Sequence, residues 1–306
     1  MTALASHLAD YLSVRRALGF KLAEPGTSLP QLVAYVEAAG ALTLTSDLMI
    51  SWARLPVTAQ PIYWAHRLGA ARGFARYLQT IDAAAEVPPP DVFGARQERH
   101  APYLWSTADI ARLLVGARDL RPSLWAASCE TFFGLIAVSG MRIAEAAGLE
   151  RKDVDLSAGV VTIREAQFGR TRLVPLHETT VTALTEYAAL RDELSPAASC
   201  RAFFLGAKGA AITGDVARHA FNRLTIQLGL RTTECHPRIH DLRHTFAVRT
   251  LINWYRSGAD VGANMTSLSN YLGHTNPSGT YWYLSASPEL MALAAARLDG
   301  TAEEAL

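Results

Sequence analysis

Val160-Val161-Thr162-Ile163-Arg164-Glu165-Ala166-Gln167-Phe168-Gly169-Arg170-Thr171-Arg172-Leu173-Val174-Pro175-Leu176 is where the pattern of this chain changes. Two short runs, Val160 to Arg164 and Arg172 to Leu176, carry the β-branched and aliphatic residues of strands and flank Phe168-Gly169. They read as a small antiparallel hairpin. Around them, apolar residues recur at the spacing of amphipathic helices. The expected fold is therefore mainly α with one small antiparallel β-sheet.

Outward from the hairpin the helical pattern returns on both sides. Trp125 to Val138 reads as a mostly buried helix, and Ser106 to Gly116 as a helix that Ser106, Thr107 and Asp109 can start. Helices resume at Thr179 and continue towards the C-terminus. Upstream, Ala83 to Pro102 is proline-rich, charged and aperiodic, which is linker composition. Before it come four short helical patterns: Ala3–Leu18, ended by Gly19 and Pro25; Ser28–Ala39, closed by Gly40; one from a Thr45-Ser46 cap to Trp52; and Ile62–Ile81. The expected organisation is a helical domain over 1–85, a linker over 86–103 and a mixed α+β domain over 104–306. On the fourth helix Arg67, Arg72 and Arg76 fall roughly on one side, where they could meet a phosphate backbone or form an ordinary solvated face.

Bulk properties describe a soluble globular protein of 306 residues with 50% hydrophobic and 19% charged residues. No apolar run reaches the roughly 18 residues of a membrane span, and the start lacks a signal-peptide pattern, so the expected location is cytoplasmic. Cys129, Cys200 and Cys235 are scattered and odd in number, which points to free thiols and not to a disulfide framework. The net charge of +1 says little about nucleic acid. Its distribution says more. From Arg201 to Arg256 there are nine basic residues against three acidic ones, a balance compatible with a phosphate-facing surface or a solvated helix face.

Four further segments carry reactive side chains. In Ser139-Gly140-Met141-Arg142-Ile143-Ala144-Glu145, an arginine follows a glycine and stands one helical turn from an acid. In His236-Pro237-Arg238-Ile239-His240-Asp241-Leu242-Arg243-His244, His240 and Arg243 share a helix face. A guanidinium fork suits a phosphodiester, and imidazole can donate to the same oxygens or move a proton. His236, His240 and His244 also recur at metal-ligand intervals, but their neighbours are arginines and not the usual carboxylate or thiolate partners, so no metal is expected. Last come Leu272-Gly273-His274 and Thr280-Tyr281-Trp282-Tyr283, with Gly273 a helix stop that leaves His274 in a loop.

In combination these segments resemble the tyrosine recombinases, the phage-integrase and Xer-like superfamily. That family carries an arginine in a T/S-G-x-R-x-x-E segment, an H-x-x-R segment, a leucine-glycine-histidine segment and a tyrosine nine residues after that histidine. The matching positions are Arg142 with Glu145, His240 with Arg243, Leu272-Gly273-His274, and Tyr283; Tyr281, seven residues after His274, has the wrong spacing. The resemblance spans about 104 to 298, and it implies a helical core-binding domain ahead of a catalytic domain. It further implies site-specific recombination of double-stranded DNA, with Tyr283 as nucleophile, Arg142, His240, Arg243 and His274 at the phosphate, and Glu145 in support. No cofactor or external energy source is implied, nor any membrane. The implied assembly is a homotetramer on paired DNA sites, free as a monomer or weak oligomer, with a partner recombinase as an option. Pro288–Leu298 would dock on a neighbouring copy or pack into its own core.

One position departs from the family. The hairpin normally carries a catalytic lysine, and Gln167 stands in its place. Glutamine can donate a hydrogen bond but has no titratable proton, and Arg170 nearby does not release one. A weakly active or silent DNA-binding accessory is therefore one alternative, and type IB topoisomerase activity is another. Arg170, Arg172 and Arg238 join the three N-terminal arginines as expected backbone contacts.

Overall fold

The computed structural model describes residues 2–94, 101–164, 171–195, 200–274, 276, 278–285 and 287–303. Contacts divide the chain into two units, 1–100 and 101–306. Gln167 and Arg170 lie outside the described residues.

The first unit is built of α1 (Ala3–Ala17), α2 (Ala23–Ala38), α3 (Ser46–Ala53) and α4 (Pro61–Leu78). Thr2 caps α1 and Thr45 caps α3 through side-chain oxygens, and Pro61 opens α4 at the position where a missing N–H costs nothing. α2 starts five residues before the expected Ser28. Pro25 falls in its first turn, where proline is tolerated, so it belongs to the start of α2 and does not act as a stop. Leu8, Leu29, Leu32, Trp52 and Phe74 are among the side chains that fill one core. Part of the proline-rich stretch packs on that core. Ala85 is buried, Val87, Val92 and Phe93 are partly so, and the Glu86 N–H donates to the Leu44 carbonyl.

The second unit begins with α5 (Thr107–Arg118), capped by Ser106, and α6 (Ser123–Ser139). α6 is apolar on nearly every face and packs on α5, on α8 (Glu178–Leu194) and on α10 (Ile239–Arg256). A fully apolar helix must lie inside. Its end at Gly140 leads into the one-turn α7 (Ile143–Ala147). The hairpin is present as β2 (Val160–Ile163) against β3 (Arg172–Pro175), with Val161 opposite Val174 and Ile163 opposite Arg172. A two-residue β1 (Val154–Asp155), too short to read from sequence, pairs antiparallel with β2 to make a three-stranded sheet in the order β1-β2-β3. Val161, Ile163 and Val174 point into the core that α6 also fills.

The remaining elements are α9 (Gly214–Gln227), α11 (Val261–Leu272), the single turn α12 (Ser278–Tyr281), a 3-10 turn over Trp282–Ser285, and α13 (Pro288–Glu303). A second core joins α10, α11, Tyr283 and Leu290 of α13. Leu290 is fully buried there and Glu289 pairs with Arg256, so the first turn of α13 packs within its own chain. No described helix is long and apolar enough to cross a membrane. All three cysteines are free, with Cys129 buried.

Candidate active site

The reactive segments meet around the C-terminal end of α11. Helix ends leave carbonyls without intrahelical partners, and here arginines from three other elements take them. Arg172 Nε of β3 donates to the Tyr271 carbonyl at 2.9 Å. Arg243 Nη2 of α10 donates to the Leu272 carbonyl at 2.8 Å, and Arg142 Nη1 reaches the same oxygen at 3.3 Å. Arg142 Nη2 donates to the Gly273 carbonyl at 2.8 Å. The partial negative charge of a helix C-terminus favours this gathering of cations.

Two glycines make the approach possible. Gly140 has φ +62°, and a Cβ there would sit 2.6 Å from Phe246 Cδ1 and 2.9 Å from Leu272 Cδ2. Gly273 has φ +68°, and a Cβ there would sit 2.6 Å from Arg172 Nη1. A side chain at either position would be strained by its backbone and would also meet a neighbour. The turn at Gly140 delivers Arg142 to the start of α7, where Glu145 accepts the Arg142 backbone N–H at 2.9 Å.

Glu145 is the hub of the ion pairs. Its Oε1 accepts from Arg142 Nη1 and Arg172 Nη1, and its Oε2 from Arg172 Nη2. Burial alone would raise its pKa. Hydrogen bonds from Arg172 and from the Arg142 backbone outweigh that and hold it at about 2.

Arg243 is 1% exposed. Its Nη1 donates to the Gly140 carbonyl at 2.6 Å and its Nη2 to His274 Nε2 at 2.9 Å. Burial lowers its pKa to about 10, which leaves it protonated at neutral pH. Because guanidinium only donates, His274 Nε2 must accept, and its Nδ1 then carries the proton given to Thr280 Oγ1 at 2.6 Å. Burial, followed by the charges of Arg243 and Arg142, lowers the His274 pKa to about 4. The imidazole is neutral at pH 7.

Tyr283 is 2% exposed. Its ring lies nearly parallel to His274, with centroids 6.0 Å apart, and edge-on to His244 at 5.4 Å. His240 meets His244 edge-on at 4.6 Å. Burial depresses both His240 and His244 to about 4, with neighbouring positive charge adding to it. His236 stands apart, before α10 and beside Arg231 Nη1 at 3.4 Å. The three histidines of that segment therefore do not converge, and no group of three His, Cys, Asp or Glu among the described residues is arranged to hold a metal.

A family model for the phage integrase family matches residues 109–289, more than half of the chain. The chain belongs to the phage integrase family. A protein of Sinorhizobium fredii (strain NBRC 101917 / NGR234) named "Putative integrase/recombinase y4rB" is 41% identical across 98% of both chains. Tyrosine recombinase XerC of Yersinia pestis is 29% identical over 71% of this chain and 66% of that protein. In fold, the chain is similar to the Tn1549 transposon integrase solved with transposon right-end DNA, with a TM-score of 0.65 at 17% identity, covering 99% of this chain and 100% of that one. The protein is thus a tyrosine-type site-specific DNA recombinase.

Within this recombinase, Arg142, Arg243, His274 and Tyr283 come together with Glu145 in support, while His240 joins through His244. His244 and Thr280, which lie outside the family motifs, also join the cluster; the sequence signal for His244 is its place one turn from His240. Three expected DNA contacts are otherwise occupied. Arg67 is buried, stacked 3.9 Å over the Trp52 ring with Nη2 on the Trp52 carbonyl. Arg72 Nε holds the Pro88 carbonyl at 2.7 Å. Arg172 is bound inward to Glu145 and Tyr271. A spacing on a helix gives direction but not what lies there, and in these cases it was protein. Arg76 and Arg238 remain exposed.

Proposed function

We propose that this recombinase cuts and rejoins double-stranded DNA through a 3′-phosphotyrosyl link at Tyr283, in the integration, excision or transposition of a mobile element. One observation carries the reading: a fully buried arginine, Arg243, is hydrogen-bonded to His274, and the equally buried Tyr283 ring stacks on that same imidazole. Burying a guanidinium is costly. Doing so against a phenol and an imidazole, beside a second arginine, makes a ready anion site.

In this mechanism Arg142 and Arg243 clamp the scissile phosphate and offset the charge that builds on its non-bridging oxygens. His240 and His274 add hydrogen bonds. Tyr283 attacks phosphorus, so that the bond to its oxygen forms as the bond to the 5′ oxygen breaks. The phenol proton goes to a neutral imidazole; His240, nominated by the sequence, is reached from Tyr283 by way of His244. A 5′ hydroxyl of a second duplex then attacks the phosphotyrosine and frees the enzyme. One ester replaces another, so no energy source is needed. The departing 5′ oxygen needs a proton that Gln167 cannot give, and another acid or a partner recombinase supplies it.

With Arg243 and Tyr283 almost fully covered, a duplex phosphate reaches them when the segment from His274 to Tyr283 shifts. Arg76, Arg170 and Arg238 are the remaining backbone contacts of the scheme, which makes binding fall steeply with salt. The assembly on DNA is a homotetramer. The relative named as an integrase/recombinase and the fold shared with a transposon integrase support the mobile-element role.

The test is a nicked suicide duplex drawn from DNA flanking the encoding gene. Wild type should form a covalent protein–DNA adduct and Tyr283→Phe none. Tight binding without adduct by wild type would make the chain a silent accessory, the reading that Gln167 favours.

A further inference from the structure

We propose that Arg172, on the hairpin, is a positioning residue that sets Arg142 and the His274 loop against the phosphate. The inference rests on the phosphate-clamp reading above and assigns Arg172 a place within it. Every nitrogen of its guanidinium is engaged. Nη1 and Nη2 grip the two oxygens of Glu145 at 2.9 and 2.7 Å, and Nε holds the Tyr271 carbonyl at 2.9 Å. Its side chain is 12% exposed, so a duplex backbone has little of it to touch.

The consequences run in two directions. Towards α7, the grip fixes the carboxylate whose other contacts are the Arg142 backbone N–H and Arg142 Nη1. Two of the three Arg142 guanidinium nitrogens hold protein acceptors, and Glu145 fixes one of them. A two-point fork makes that carboxylate a rigid support; a carboxylate held only by Arg142 would rotate with it. Towards α11, Arg172 packs on Gly273, where a Cβ would sit 2.6 Å from Nη1 and push the guanidinium aside. Gly273 is the residue between the helix end and His274, so the same guanidinium limits where the His274 loop can lie. The hairpin is thereby tied over 27 and 99 residues of sequence to Glu145, which holds Arg142, and to Tyr271, just ahead of the His274 loop. A group aimed loosely by about 1 Å can lose on the order of 100-fold in rate.

The experiment compares Arg172→Ala, Arg172→Lys and Arg142→Ala in single-turnover adduct formation, with the cleavage position first mapped by wild type on DNA flanking the gene. Each is run on the natural phosphodiester and on a duplex whose scissile linkage is a methylphosphonate, in both diastereomers. Replacing a non-bridging oxygen by methyl removes the charge that a guanidinium is there to offset. Arg142→Ala should lose about 100-fold or more on the phosphodiester and recover most of it on one diastereomer. If Arg172 acts by aiming Arg142, Arg172→Ala should lose about 10- to 100-fold and recover on that same diastereomer, with DNA affinity unchanged. Arg172→Lys, which keeps the charge but not the fork, should fall between Arg172→Ala and wild type; it carries the test alone if Arg172→Ala does not fold.

An equal loss on both substrates would overturn the proposal, because a general loss of structure does not distinguish them. So would a wild-type rate in Arg172→Lys together with weakened binding in Arg172→Ala, which would make Arg172 a DNA contact. Absence of adduct with wild type on every substrate would defeat the recombination chemistry itself and the Arg172 assignment with it.

Discussion

Arg142 and Arg238 open their helices in the same way. Each is the residue before the first helical turn, and each has an acid three residues on, Glu145 or Asp241, that accepts its backbone N–H and pairs with its guanidinium. In isolation the two segments are one device, a charged variant of the capping box. Their surroundings differ. Arg142 is 24% exposed, reaches two carbonyls of α11 and shares its acid with Arg172. Arg238 is 53% exposed, and its acid is the only side chain it is seen to pair with among the described residues. The difference teaches that a local motif starts a helix, whereas the partners that the fold brings from elsewhere decide what the arginine is built into.

The comparison can be broken by substitution. Arg142→Ala should reduce covalent adduct formation by at least about 100-fold, near 3 kcal/mol of transition-state stabilisation, while Arg238→Ala should leave the rate within about three-fold at saturating DNA, as its half-exposed guanidinium pairs with Asp241 and not with Arg142, Arg243, His274 or Tyr283. Equal losses in the two variants would remove the distinction. Single-turnover cleavage at two salt concentrations reads both, and the salt slope for Arg238→Ala should flatten by about one unit if Arg238 touches a phosphate.

Acid sharpens the contrast between the two carboxylates. Glu145 has its pKa depressed to about 2 in the fold, so the stability it contributes is complete above its unfolded value near 4.5 and is lost as pH falls through that window to 2. The difference corresponds to on the order of 3 kcal/mol. Thermal melts of Glu145→Gln should show a lower Tm at neutral pH and a shallower fall between pH 4.5 and 2 than wild type. An identical slope would mean that the arginines do not hold Glu145 as described. His240, His244 and His274 act in an adjoining range. Their folded pKa values near 4 lie below the unfolded value, so they favour the fold above about pH 6.5 and withdraw that stability as pH falls to 4.

The smallest effect belongs to the ordinary cap. Asp241→Asn should cost about 1 kcal/mol in melting experiments, since asparagine can still accept the Arg238 N–H, and it should leave the cleavage rate close to wild type.

Much of this was readable in the chain itself. The hairpin followed from a change of period between Val160 and Leu176, and the helix starts at Ser46 and Thr107 from threonine or serine placed one residue before them. The order and separation of Arg142, His240, Arg243, His274 and Tyr283 carried the resemblance to the family. Local signals were less sufficient for the start of α2, where Pro25 reads as a stop but is tolerated in a first turn, and for β1, whose two residues carry no period. The proline-rich stretch read as linker because its composition lacks periodicity, yet Ala85 and Phe93 are spaced to meet a surface already formed.

Sequence alone thus determined which residues are reactive and in what order they come, since spacing and residue type are properties of the chain. Only the tertiary structure decided which acceptor each guanidinium holds. Arg67, Arg72 and Arg172 have the same charge and reach as Arg142 and Arg243; the last two are set apart because they meet at the Leu272 carbonyl, with Arg243 also on His274. Those partners come from distant parts of the sequence, and a guanidinium bonds to whatever acceptor the folded backbone puts within its reach.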